Sequence, residues 1–129
     1  MEKDLEQRTK RFALAVLEFA SSLPRNRAAD VLARQLLRSA TSMGANYREA
    51  NRGVSRADFT NKIGTVQKEA AETQYWIELL MESGISKTEP AANLPKESTE
   101  LLAIFVSIGE TPERVVPTFY FSISTFSFR

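Results

Sequence analysis

Phe59, Ile63, Val66, Ala70, Thr73, Ile77 and Leu80 follow one another at alternating steps of four and three. That spacing returns each side chain to one face of an α-helix and approaches the heptad of a left-handed bundle. The start of this helix is equally marked. Ser55-Arg56-Ala57-Asp58 has the spacing of a capping box, and Val54 is positioned to staple onto Phe59 at the fourth helical position. Gly84 closes the segment.

The same period governs the flanking stretches. Leu5, Phe12, Val16, Phe19 and Leu23 gather on one face of a first helix, which Pro24 ends. A second helix is expected from an Asn26 N-cap to Arg52, with Gly53 as its left-handed closing residue. A loop containing Pro90 leads to a last helix that begins near Pro95 and buries Leu101, Phe105 and Ile108. Long amphipathic helices joined by short loops pack as antiparallel neighbours, so the expected fold is all-α, an up-down-up-down four-helix bundle over residues 1–110. Each buried Leu, Ile or Phe contributes roughly 1.5 to 3 kcal/mol against chain entropy, enough in aggregate for a stable core.

A chain of 129 residues supplies one such domain, and 43% hydrophobic with 26% charged residues excludes a disordered or low-complexity chain. The absence of cysteine and histidine removes disulfides, thiolate and imidazole metal sites, cysteine nucleophiles and serine-type triads. Glu49, Glu69 and Glu72 lack the Glu-x-x-His pairs of a di-iron bundle. The isolated glycines at 44, 53, 64, 84 and 109 form no phosphate loop. No enzymatic activity, metal or cofactor is therefore expected. The mixed-charge N-terminus is not a signal peptide, and no apolar run is long enough to span a bilayer, so the expected compartment is the cytoplasm.

Charge is unevenly spread. Residues 25–62 carry eight cationic and three anionic side chains, whereas the whole chain nets only +1. Such a segment either attracts phosphate or forms an ordinary solvated face. Within it Gln35, Ser39, Ser42, Asn46 and Glu49 form a polar stripe at helical spacing, and Arg34, Arg38, Arg48 and Arg52 form a second row beside it, with Thr41 and Ala45 filling the gap. On the third helix Lys62, Glu69 and Trp76 recur at heptad spacing, and Glu72 lies one turn from Glu69 and from Trp76. The complementary rows suit ion pairs, within a chain or between subunits, of Arg38 or Arg48 with Glu69 or Glu72; such pairs fix register and partner choice more than they add stability. Alternatively the arginine row receives a phosphate backbone.

Residues 111–129 differ in character. Pro112 and Pro117 forbid a continued helix, residues 118–124 alternate with the period of a strand, and five of the twelve aromatic residues lie here. The tail either packs on a neighbouring subunit or is a disordered, aggregation-prone extension.

The run Gln35-Leu36-Leu37-Arg38-Ser39-Ala40-Thr41-Ser42-Met43-Gly44-Ala45-Asn46-Tyr47-Arg48-Glu49-Ala50 resembles, nearly position for position, the signature of the bacterial 23S rRNA intervening-sequence proteins. The likeness continues at Ser55, Asp58, Phe59 and Lys62, through Glu69-Ala70-Ala71-Glu72-Thr73 and Tyr75-Trp76-Ile77-Glu78-Leu79-Leu80, and weakly at Glu100-Leu101. The resemblance implies an antiparallel four-helix bundle that assembles as a homopentamer. Some relatives are encoded within insertions in ribosomal RNA genes, and a related branch of diversity-generating retroelement accessory proteins comprises basic pentamers that bind nucleic acid and a reverse transcriptase. No defined activity comes with the intervening-sequence branch. Arg38, Ser39, Ser42, Asn46, Glu49, Lys62, Glu69, Glu72 and Trp76 match the family's recurrent polar positions. The segment from Phe119 to Arg129 departs from its pattern.

Two functions fit these residues. One is a homo-oligomeric bundle that binds structured RNA or DNA through Arg34, Arg38, Arg48 and Arg52. The other is a scaffold for a protein partner, in which the polar stripes of Ser39, Ser42, Asn46, Glu49, Lys62, Glu69, Glu72 and Trp76 serve assembly.

Overall fold

The computed structural model describes residues 2–86 and 93–110, which form four helices: α1 (Glu2–Ser21), α2 (Arg27–Asn51), α3 (Arg56–Glu82) and α4 (Leu94–Gly109). Cross-helix contacts give the direction of each. Asn51 and Gly44 of α2 meet Glu6 and Thr9 of α1, Ser39 and Asn46 of α2 meet Thr73 and Lys62 of α3, and Gln67 and Gln74 of α3 meet Phe105 and Thr99 of α4. In each neighbouring pair one number rises as the other falls, as antiparallel packing requires. The bundle is therefore up-down-up-down, with α1 returning beside α4.

The helix ends obey local chemistry. Asn26 Oδ1 accepts from the Ala29 amide at 2.9 Å and Ser55 Oγ from the Asp58 amide at 3.1 Å, each satisfying a donor that has no partner within its own helix. Gly84, at φ +80°, comes just after α3. At the start of α4 it is Asn93 that takes the left-handed conformation, and proline lies in the first turn.

Two expectations at the α2–α3 connection are corrected. Gly53 is not left-handed; α2 closes with tight bonds from Arg52 N to Glu49 O at 3.0 Å and from Gly53 N to Ala50 O at 3.1 Å. Its missing side chain instead makes room, since a Cβ there would stand 3.1 Å from Asp58 Cβ. Val54 forms no staple. It is 93% exposed, because the compact turn through Gly53 directs it to solvent.

The core is one cluster built from every helix: Phe12, Val16 and Phe19 from α1, Leu36, Met43 and Tyr47 from α2, Ile63, Val66, Ile77 and Leu80 from α3, and Leu94, Leu101 and Phe105 from α4. Leu5, Phe59 and Ile108 pack at its edge. The four seams are unequal. The one between α2 and α3 is the most extensive and the one between α1 and α4 the sparsest. Arg8 bridges that sparse seam, with Nε on Glu97 Oε2 at 2.7 Å, and Nη2 on Glu97 Oε1 and Glu100 Oε1 at 2.8 Å each. Hydrogen bonding to Glu97, reinforced by its charge and by Glu100, raises the Arg8 pKa above its usual value.

Among the described residues no helix is long and apolar enough to cross a membrane. Pro90 and the alternating segment 118–124 lie outside the described residues.

Candidate functional site

α2 turns Leu36, Ala40, Met43, Tyr47 and Ala50 into the core, which leaves its polar residues in two rows. The inner row lies along α3. Ser39 is fully buried and its Oγ accepts from Thr73 Oγ1 at 2.8 Å, while Thr73 also lies 2.8 Å from the Glu69 carbonyl. One heptad further along α2, Asn46 donates to the Ser42 carbonyl at 2.9 Å, and its Oδ1 accepts from Lys62 Nζ at 3.4 Å. Lys62 also pairs with Glu49 at 2.8 Å. Hydrogen bonding to Lys62, and then its charge, holds the Glu49 carboxyl below its ordinary pKa.

Arg38 lies at the edge of this seam and closes it. Its Nη1 reaches Glu69 at 3.2 Å and its Nη2 reaches Glu72 at 2.6 Å, while Nε approaches Gln35 Oε1 at 3.3 Å. Hydrogen bonding to Glu72 is the main cause of an Arg38 pKa above its usual value. Glu69 is only 7% exposed, and Arg38 is the cation that reaches its carboxylate there. Trp76, farther along α3, stacks edge-on against Tyr75 at 5.1 Å, and its buried Nε1 has no hydrogen-bond partner. Thus Ser39, Arg38, Glu69 and Glu72 join one network, while Ser42, Asn46, Glu49 and Lys62 join a second.

The outer row divides. Arg34 and Arg52 are exposed, Arg52 donating to the Arg48 carbonyl at 3.1 Å. Arg48 meets neither Glu69 nor Glu72; it reaches back to Glu6 of α1 at 3.6 Å. The reason is distance along the helix. Ten residues separate Arg38 from Arg48, about 15 Å at 1.5 Å per residue, so one acidic pair cannot serve both. Thr41, Gly44 and Ala45 open a cleft of about 450 Å³ between α1 and α2, with Lys10, Arg48 and Arg52 among its walls. A Cβ on Gly44 would stand 3.1 Å from Thr9 Oγ1, so the glycine allows α1 to approach here. The cleft offers cations beside small, shallow residues and can accept an anionic backbone. Glu6 and Glu49 also line it; Glu6 pairs with Arg48 and Glu49 with Lys62, so Lys10 and Arg52 are the cations the cleft offers.

Lys10, and the Glu6 contact of Arg48, carry no sequence signal, because the charge of α1 has no meaning for this face until its register against α2 is known. Among the described residues no group of three or more Asp or Glu is placed to hold a metal ion.

Comparison with known proteins agrees with this architecture. The profile of the 23S rRNA-intervening sequence proteins matches residues 2–107. A crystal structure of a protein of unknown function from the S23 ribosomal protein family of Bacteroides thetaiotaomicron is similar at 37% identity and a TM-score of 0.76, over 86% of this chain and 100% of that one. Comparison with curated proteins finds no match.

Proposed function

The chain belongs to the 23S rRNA-intervening sequence protein family, and on that premise we propose that it is a non-enzymatic bundle, assembling with copies of itself, that binds structured nucleic acid through the outer face of α2. The observation that carries this reading is the solvent exposure of Arg34 and Arg52 on one row, with Arg48 and Lys10 flanking the cleft beside it. Guanidinium groups on a rigid helix engage phosphate oxygens without first being freed from a core. Arg38 takes a different part. Its two carboxylate partners make it a bridge between α2 and α3, and Arg48 is held by Glu6, which leaves Arg34 and Arg52 as the arginines to meet phosphate.

The pairing within one chain also bears on assembly. Ser39, Asn46, Lys62 and Glu69 have partners in their own subunit, which supports assigning contact between subunits to other surfaces. Leu14 and Leu17, exposed on neighbouring turns of α1, are apolar groups suited to that contact. Homopentamers are the assembly expected by resemblance, and the cytoplasm is the expected setting.

The test is fluorescence anisotropy of the protein with a structured RNA and a duplex DNA of equal length at about 50 and 200 mM salt, where phosphate contacts give a steep loss of affinity. Salt-sensitive binding supports the reading, and the ratio between the two ligands names the class. Absence of binding at the lower salt removes it and favours the protein scaffold.

A further inference from the structure

The sparse α1–α4 seam holds a groove that the proposed nucleic-acid face does not use. It has a volume of about 600 Å³; Leu5, Tyr47, Phe59, Ile104 and Ile108 give it an apolar surface beside Ser107, and Asp4, Arg8 and Arg11 of α1 line it as well. Tyr47 is buried beneath it and leans on Phe105 at 5.3 Å with a 59° tilt, so this floor is rigid and aromatic. Ile104 and Ile108 belong to the last turns of α4, which ends at Gly109. The chain therefore leaves the bundle at the mouth of the groove, and its most aromatic stretch lies just beyond, with Phe119, Tyr120, Phe121, Phe126 and Phe128.

We propose that this groove is the docking site of the chain's own C-terminal segment, with Phe119, Phe121 and Ile123 as the side chains that fill it. Three observations favour this occupant. Nine residues from Glu110 to Phe119 span up to about 30 Å when extended, which is length enough to reach back over α4. As an extended strand this sequence would set Phe119, Phe121 and Ile123 on one side at intervals of about 6.7 Å, close to the rise of about 6 Å from Ile104 to Ile108 along α4. The three side chains are uncharged, and Leu5, Tyr47, Phe59, Ile104 and Ile108 offer them an apolar surface, with the charged Asp4, Arg8 and Arg11 contributed by α1. The inference is independent of nucleic-acid binding.

The chain has no cysteine, so Ser107→Cys in the full-length protein gives a single site for a bimane fluorophore at the groove. Phe121→Trp then supplies a quencher that acts only at close range. Burial of an aromatic ring favours docking by about tenfold or more, so bimane emission is expected to fall several-fold when both substitutions share a chain. Adding Phe119→Ser and Ile123→Ser, which leave the four helices untouched, should restore most of it. Undiminished emission overturns the proposal, as does quenching that persists after those two changes, which would mean random collision. Quenching that appears only on mixing bimane-labelled chains with separate chains carrying Phe121→Trp also overturns it, by assigning the groove to a neighbour's tail.

Discussion

Arg8 grips Glu97 with two parallel hydrogen bonds, at 2.7 and 2.8 Å, across the sparsest seam of the bundle. Both side chains are about seven-tenths buried, so water screens the pair only partly. Arg8→Ala is expected to cost about 2 kcal/mol in urea unfolding, and Glu97→Gln somewhat less. A double-mutant cycle that returns no coupling would assign the loss to packing of the arginine stem.

The Ser39 and Thr73 hydroxyls test the buried polar seam. Thr73→Val leaves Ser39 beside a methyl group and should cost about 1 to 2 kcal/mol. Combining it with Ser39→Ala removes both polar groups and should recover part of that stability. Simple additivity of the two changes would show that the hydroxyls act separately.

Arginines of one row should divide by readout. Arg34→Ala with Arg52→Ala should leave the melting temperature unchanged and reduce the salt slope of nucleic-acid binding by about one for each phosphate no longer neutralised. Arg38→Ala should do the reverse, lowering stability by about 1 to 2 kcal/mol because it leaves the carboxylate of Glu69 buried without its cation. Equal effects of the three substitutions on stability would remove the distinction.

Glu49 sets a pH dependence. Lys62 holds its folded pKa below the ordinary 4.5, so the pair contributes stability above that value and loses it as pH falls further. Lys62→Met should return the Glu49 carboxyl to its ordinary range in a carbon-detected NMR titration. The stability difference between the two proteins should then disappear in acid.

Much of the architecture is legible in local spacing. The four-and-three steps from Phe59 to Leu80 define the buried face of α3 before any partner is known, and Asn26 and Ser55 mark helix starts because their cap bonds span only three residues. The polar rows on α2 and α3 are visible by the same periodicity. What spacing cannot supply is the facing register, and this is why Arg48 could be placed beside acidic residues of α3 when it meets Glu6 of α1. Gly53 is a subtler case. Its residue type suggests a left-handed closure, yet the space taken by Asp58 accounts for it. The Arg8 clamp left no trace, since its partners stand 89 and 92 positions away.

That separation has a kinetic meaning. The pairs between α2 and α3 close over loops of 13 to 34 residues and can form early, whereas Arg8 must wait until nearly the whole bundle is ordered. The clamp then belongs to the late side of the folding barrier. Arg8→Ala should accelerate unfolding in a chevron experiment and leave the refolding rate almost unchanged, while Thr73→Val should slow refolding. One arginine thus governs how long the finished bundle lasts and has little part in how quickly it is made.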